Sequence, residues 1–301
     1  MIRCQSIMMK RPLLPLLFLL TAWPLLAQTT PKLAGVPEYM ALPQPVAESR
    51  ISYGLDPLQF VELRRPSGNG PFPVVILVHG GCWLAQYDVG PLAAMAASLT
   101  ESGIAVWSLE FRRVGNPGGG WPGTFQDVAR GTDLLRQSAS IYSLDLDRVI
   151  VVGHSAGGHL ALWLGGRSQL PDESPLYVKD PLPVKAVIGL APAADLELTF
   201  QNQTCGGASQ RLIGGTPEDY PDRYRHGSAA ALLPLGIPQV LINGALDKGW
   251  LTISRAYQEK ARELGDSVEL IVPPDAGHFE LVMPGSTTFP TVRSAILELL
   301  R

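Results

Sequence analysis

The chain has 301 residues, of which 46% are hydrophobic and 17% are charged, a balance typical of one large globular domain or two small ones. This composition argues against a disordered or fibrous protein. The formal net charge of -3 at pH 7 comes without a cluster of lysine and arginine, so no nucleic-acid partner is expected.

The first 27 residues have the pattern of a secretory signal peptide. A basic segment with Arg3, Lys10 and Arg11 precedes an apolar stretch that ends at the small residue Ala27. The alternative is an uncleaved membrane anchor, but the apolar run is short for a bilayer, which needs about 20 residues. We therefore expect cleavage near Ala27, no stable membrane insertion afterwards, and a secreted or periplasmic protein.

Residues 28–50 contain four prolines and are predicted as an extended lead-in. In the domain predicted over 51–301, apolar runs of strand length alternate with longer helical patterns. This alternation indicates an α/β fold with a mostly parallel central sheet and helices on both faces. The strand candidates are QFVELRR, PVVILVHG, IAVWSLEF, RVIVVGH, VKAVIGLAP, PQVLING and SVELIVP. The first of them, residues 59–65, alternates apolar and polar residues and is predicted as an edge strand.

The segment HGGCW, residues 79–83, directly follows the strand candidate PVVILV. A tight turn alone, without a catalytic role, would also explain its glycines. If a nucleophile follows downstream, however, the backbone N–H groups of Gly81 and Cys82 are candidates for an oxyanion hole. Trp83, and Trp121 in the later loop PGGGWPG, are candidates for lining the substrate pocket, while core packing is an equally good explanation for both tryptophans.

Signal cleavage would remove Cys4 and leave Cys82 and Cys205 as an even pair in an oxidising compartment. The sequence leaves open whether this pair forms a disulfide or stays as two buried thiols, because a bond needs Cα atoms within about 7 Å. No spacing of cysteine and histidine indicates a metal site.

The segment GHSAG, residues 153–157, places a serine between two glycines where a buried strand is followed by a helical pattern. It fits G-x-S-x-G, in which a sharp strand-to-helix turn exposes the serine hydroxyl and glycines leave the room that the turn needs. Ser155 is therefore the candidate nucleophile. The N–H of Ala156, at the start of the helix, is the third candidate oxyanion donor.

A serine nucleophile needs a histidine base that is oriented by a carboxylate, in the chain order serine, acid, histidine. Asp247 follows the strand candidate PQVLING and is the candidate acid, although a helix cap would also explain it. His278 follows SVELIVP and is the candidate base. Asp275 is the rival acid, but it stands three residues from His278 and is expected to shape the turn. Residues 195–235, between the strand candidates VKAVIGLAP and PQVLING, are predicted as an inserted lid.

With these segments together, the chain resembles the α/β-hydrolase superfamily, in the esterase and lipase branch that includes kynurenine-formamidase-like and feruloyl-esterase-like enzymes. The resemblance covers roughly residues 58–301. It rests on HGGCW, FRRVGNPGGGWPGTFQDV, GHSAGGHLAL, NGALDKGW and DAGHFEL. Around the acid the family pattern is H-G-x-x-D-x-x-V, from which Asn243 and Trp250 depart. Trp250 is expected to narrow the pocket.

The resemblance implies a hydrolase of small-molecule esters that needs no cofactor. Ser155 would attack the carbonyl, His278 would take the proton, and an acyl-enzyme would form. An amide hydrolase, arylformamidase-like or dipeptidyl-peptidase-like, is the second hypothesis because the same machinery cleaves both bonds. A binding or adhesion protein is the third, and the presence of a complete set of catalytic candidates disfavours it.

Overall fold

A computed structural model describes Met1 and residues 32–301. The chain divides into two compact units, Met1–Lys32 and Leu33–Arg301. The predicted signal peptide, its cleavage point at Ala27 and Cys4 lie outside the described residues. Within the described part, no helix is both long enough and apolar enough to cross a bilayer.

The unit Leu33–Arg301 is built on a sheet of eight strands in the order β1-β2-β4-β3-β5-β6-β7-β8. The pairs β1–β2 and β2–β4 are antiparallel, and the other pairs are parallel. The strands are β1 (Ser49–Ser52), β2 (Phe60–Arg64), β3 (Phe72–Val78), β4 (Ala105–Leu109), β5 (Leu144–His154), β6 (Ala186–Leu190), β7 (Gln239–Ile242) and β8 (Val268–Ile271). The predicted mostly parallel sheet is confirmed.

Helices cover both faces of the sheet. On β3, Val74 and Ile76 belong to one hydrophobic cluster, while the intervening Val75 and Leu77 belong to the other. All four are buried, as expected when side chains alternate across a strand that is covered on both faces. The helices are α1 (Val36–Met40), α2 (Ala93–Glu101), α3 (Gly123–Tyr142), α4 (Ala156–Gly166), α5 (Leu196–Gln201), α6 (Ala208–Ile213), α7 (Pro221–Gly227), α8 (Lys248–Glu263) and α9 (Phe289–Leu299).

The N-terminal part of this unit differs from its prediction. Residues 36–40 form α1 instead of an extended lead-in, and Tyr39 is buried. Pro37 contributes to the expectation of an extended chain, but proline is well accommodated in the first turn of a helix, where it stands here. The strand β1 pairs outside β2, so the prediction that β2 is an edge strand is also wrong.

The segment predicted as an inserted lid lies between β6 and β7. It contains the short helices α5, α6 and α7. The start of α5 is fixed by Asp195, whose side chain accepts hydrogen bonds from the N–H groups of Glu197 and Leu198. The insertion is therefore mainly helical.

His159, on α4, is buried and hydrogen-bonded. Its Nε2 lies 2.7 Å from the carbonyl oxygen of Gly227, and its ring meets those of Trp83 and Phe125 edge-on. Burial lowers the pKa of His159 from 6.5 to about 4. This histidine therefore ties α4 to the end of α7 in its neutral form.

The buried His159 predicts a loss of stability in acid. Because its pKa is lower in the folded than in the unfolded protein, the unfolded chain takes up a proton first as the pH falls below 6.5. The loss is complete below pH 4 and amounts to about 3 kcal/mol. The variant His159→Gln should therefore show a flatter dependence of the unfolding free energy on pH between 7 and 4.5, measured by urea denaturation. An unchanged slope would contradict this assignment.

Candidate active site

The turn around Ser155 has the strained geometry that the sequence predicts. Ser155 has φ 58° and ψ -121°, between the end of β5 and the start of α4. A Cβ on Gly153 would lie 2.0 Å from the carbonyl oxygen of Gly157, and a Cβ on Gly157 would lie 2.2 Å from that of Val78. Both glycines are thus required by close backbone approach, and the serine sits at the tip of the turn.

Asp247 and His278 are brought together by the loops that follow β7 and β8. The N–H of Ala245 donates to Pro273 and the N–H of Leu246 donates to Ala276, at 2.9 and 3.0 Å. A Cβ on Gly244 would lie 2.2 Å from the carbonyl oxygen of Ala276, so this contact also needs a glycine. The two loops consequently run side by side at the carboxyl ends of the parallel strands, where α/β folds gather their functional groups.

The carboxylate of Asp247 is paired with the imidazole of His278. Oδ2 of Asp247 lies 2.7 Å from Nδ1 of His278, and both side chains are more than four-fifths buried. Although Asp247 stands at the start of α8, its side chain makes no capping hydrogen bond. Asp275 is exposed. The structure therefore pairs the histidine with Asp247, and the cap interpretation does not hold.

His154, between Gly153 and Ser155, contacts the loop that carries His278. Its Nε2 lies 3.0 Å from the carbonyl oxygen of His278, and the two rings are 4.6 Å apart. Burial, and then the neighbouring His278, lower the pKa of His154, which favours its neutral form. The turn at Ser155 and the loop that carries His278 are thereby held together.

Ser155 and His278 line the same cavity, which has a volume of about 350 Å³. Among the described residues, no lysine, arginine, aspartate or glutamate lines it. The other lining residues are largely apolar or aromatic, and they are Val36, Tyr39, Gly81, Cys82, Tyr87, His154, Cys205, Trp250 and Phe279. The cavity is thus suited to uncharged ligands.

The loop after β3 places Gly81 and Cys82 on this cavity. Gly81 has φ 105° and Cys82 has φ 52°. A Cβ on Gly81 would lie 2.3 Å from the Cβ of Tyr87, so a side chain is excluded there. The N–H of Ala156 has no acceptor within its own helix because Ala156 is the first residue of α4. Gly81 and Cys82 thus share the cavity with Ser155, and Ala156 directly follows the serine in the chain.

A buried polar cluster lies next to this loop, and the sequence pattern does not predict it. Nδ1 of His79 lies 2.8 Å from the carbonyl oxygen of Gly80, while its Nε2 lies 3.2 Å from a guanidinium nitrogen of Arg113. Glu110 accepts from that guanidinium group and from the N–H of Val89, at 3.1 Å for the latter. Burial opposes ionisation of Glu110, but His79 and Arg113 outweigh it and lower the pKa. In the sequence, the charged residues of SLEFRR are the feature that could indicate this cluster.

The three tryptophans predicted to contact substrate have different environments. Trp250 lines the cavity, with its ring 4.6 Å from that of His278. For Trp83 the prediction is wrong, because its ring is 1% exposed and packs in the core against His159. Trp121 is also outside the cavity and packs edge-on against Phe125. Core packing thus explains both.

Cys82 and Cys205 form a disulfide, with Cα atoms 5.7 Å apart. The bond joins the loop after β3 to the insertion between β6 and β7, and both cysteines line the cavity. Cys205 has φ 60° and is followed by two glycines in the same left-handed region. Of the two alternatives that the sequence left open, the bonded one is correct.

Breaking this bond should destabilise the protein. The cysteines are 123 residues apart, and for a loop of that length chain entropy gives about 4 to 5 kcal/mol at most, with 2 to 4 kcal/mol typical. The double variant Cys82→Ser/Cys205→Ser should therefore unfold about 5 to 15 °C lower in a thermal melt. Alkylation of the denatured, unreduced protein provides the check, since labelling of both cysteines would show that no bond forms.

Comparison with known proteins gives consistent matches. The BD-FAE family model matches residues 63–249, which include Ser155 and Asp247 but not His278. Esterase LipC of Mycobacterium tuberculosis is 27% identical over 284 residues, covering 91% of this chain and 69% of the relative. The isoprenylcysteine alpha-carbonyl methylesterase of Arabidopsis thaliana is 26% identical over 250 residues, covering 77% of this chain and 56% of the relative. This chain thus spans little more than half of the plant enzyme.

Solved structures share the fold. Esterase B from Lactobacillus rhamnosis superimposes with a TM-score of 0.72 at 22% identity, covering 86% of this chain and 87% of that one. A bacterial heroin esterase gives a TM-score of 0.67 at 23% identity, with coverage of 88% and 87%. At these identities the similarity demonstrates a common architecture.

Proposed function

Because the chain belongs to the BD-FAE family and has the α/β-hydrolase fold of the esterase branch, we propose that it is a carboxylic ester hydrolase that works through an acyl-enzyme on Ser155. One observation carries this proposal. The Asp247–His278 pair, 2.7 Å apart, opens onto the same uncharged cavity as a serine on a strained strand-to-helix turn. An uncharged cavity suits a neutral ester better than an acidic or basic substrate.

In the proposed reaction, His278 takes the proton of Ser155 as the serine oxygen attacks the ester carbonyl. Asp247 holds the Nδ1 proton of His278, which leaves Nε2 free to accept. The N–H groups of Gly81, Cys82 and Ala156 stabilise the oxyanion. His278 then gives its proton to the departing alcohol, and it later activates the water that releases the acid.

A substrate panel tests the proposal. We expect turnover of p-nitrophenyl esters and little or none of N-formylkynurenine and aminoacyl amides. Preferential turnover of the amides would identify an amide hydrolase instead. If neither class is hydrolysed by folded protein, the ester-hydrolase proposal is wrong and a binding role becomes the better explanation.

We further propose that the protein is exported. The Cys82–Cys205 disulfide supports this, because structural disulfides persist mainly in oxidising compartments. Cell fractionation followed by N-terminal sequencing tests it. A start near residue 28 in the exported fraction is expected, whereas an intact N-terminus in the cytoplasm would contradict export.

A further inference from the structure

A segment near the start of the unit Leu33–Arg301 forms one wall of the cavity. This N-terminal segment, Leu33–Leu42, contains α1, and its Val36 and Tyr39 line the cavity beside Ser155 and His278. It precedes the range 63–249 that the family model matches. Its presence at the site is therefore a property of this chain that the family match does not supply.

The N-terminal segment is fastened to the loop that carries His278. Oε1 of Glu280 accepts a hydrogen bond from the N–H of Ala34 at 2.5 Å, and its Oε2 accepts one from the N–H of Gly277 at 2.9 Å. The side chain of Leu33 lies close enough to Gly277 that a Cβ there would be 3.1 Å from it. One carboxylate thus bridges the segment and the residue next to the histidine.

Tyr39 extends this contact into the cavity. Its ring stacks on that of Phe279, with centroids 5.1 Å apart and planes inclined by 24°, and lies 6.0 Å from the ring of His154. The rings of Phe279 and Trp250 lie 5.1 and 4.6 Å from that of His278. Tyr39 therefore belongs to an aromatic group that packs around His278 and lines the cavity.

The chemistry of the proposed reaction says which part of an ester meets this wall. His278 must protonate the departing oxygen, so the alcohol part of the substrate lies next to the histidine during acylation. The carbonyl oxygen points instead toward the donors of the oxyanion hole. We propose that Val36 and Tyr39 contact the alcohol part of the ester and select apolar alcohols, an inference that rests on the proposed function.

Two substrate series separate this role from a general effect. One varies the alcohol in methyl, butyl and cyclohexyl acetate, and the other varies the acyl group in p-nitrophenyl acetate, propionate and butyrate. For Tyr39→Ala, the ratio of kcat/KM for cyclohexyl to methyl acetate should fall about 10-fold relative to the unmodified protein, as for other losses of apolar contact in a pocket. The ratios within the p-nitrophenyl series should stay within about two-fold, because the alcohol is constant there.

A kinetic readout excludes a merely structural effect. Once the alcohol has left, every acetate ester gives the same acetyl-enzyme, so its hydrolysis rate should be unchanged in Tyr39→Ala. With p-nitrophenyl acetate, this rate is obtained from the linear phase that follows the burst of p-nitrophenol, divided by the amplitude of the burst. Tyr39→Phe keeps the stacked ring and should retain the alcohol preference. Val46→Ala is the matched control, because Val46 is 95% exposed in the same N-terminal region and does not line the cavity.

Val36 gives a second test that does not depend on a buried residue. Val36 is 43% exposed, so the variant Val36→Trp should fold. Its larger side chain should narrow the cavity and lower kcat/KM selectively for cyclohexyl acetate. Equal effects on both series, or a change in the acyl series only, would overturn the proposed role of the segment. Failure of the esterase proposal would look different, because the unmodified protein would then hydrolyse neither series.

Discussion

The variants Ser155→Ala and His278→Ala should each lower kcat for p-nitrophenyl acetate by about 10⁴- to 10⁶-fold, while the melting temperature changes little. Ser155 supplies the attacking oxygen, and His278 is the group that can take its proton. The fold should survive because the strained turn is accommodated by Gly153 and Gly157, which both variants keep. Steady-state kinetics and a thermal melt of each purified variant measure the two effects.

The double variant Ser155→Ala/His278→Ala serves as the control. Residues that act as one catalytic unit are strongly non-additive, so the double variant should be about as slow as either single one. Multiplied losses would show that the two side chains act independently. A Ser155→Ala protein with near-normal activity would show that the nucleophile is elsewhere.

The geometry of the candidate site that the sequence predicts depends on one local turn and on the order of the strands. A strained turn at Ser155 demands glycines at fixed positions on either side, and those glycines are visible in five letters of sequence. The order of strands then places Asp247 and His278 at the ends of β7 and β8. Parallel strands bring their carboxyl ends to one edge, so the meeting of these residues follows from the alternation of strands and helices.

The parts that were missed depend on where one segment packs against another. Trp83 is directed into the core instead of the cavity, by a loop in which residues 81–83 all have positive φ. Nothing in the composition of that loop shows this direction. The prolines around Tyr39 predict an extended lead-in, yet the contact of Tyr39 with Phe279 joins residues that are distant along the chain.

Bonds between distant residues show the same limit. Cysteine count predicted that Cys82 and Cys205 could pair, but only the approach of the insertion to the loop after β3 decides that they do. The cluster of His79, Glu110 and Arg113 joins two loops that follow neighbouring parallel strands. Its members are polar residues at strand ends, and in the sequence they look like those of any other polar loop.

The acid has the second largest expected effect, and its test exploits the two nearby aspartates. In Asp247→Asn, the amide can donate a hydrogen bond to Nδ1 of His278, which holds the proton on Nε2 and removes the acceptor that Ser155 needs. We expect kcat to fall about 10³- to 10⁴-fold with little change in KM, because the amide keeps the size and position of the carboxylate. Asp275→Asn is the matched control.

Asp275 is exposed and lies three residues from His278, so its replacement should change kcat by no more than about two-fold. Both variants are compared on p-nitrophenyl acetate, at a pH where the unmodified protein is fully active. If the ranking is reversed, the orienting carboxylate is Asp275 and the pair seen at 2.7 Å is not the working one. If both are mild, His278 does not need a carboxylate to keep its tautomer. The severe loss in Asp247→Asn alone is what a serine, histidine and aspartate acting as one unit requires.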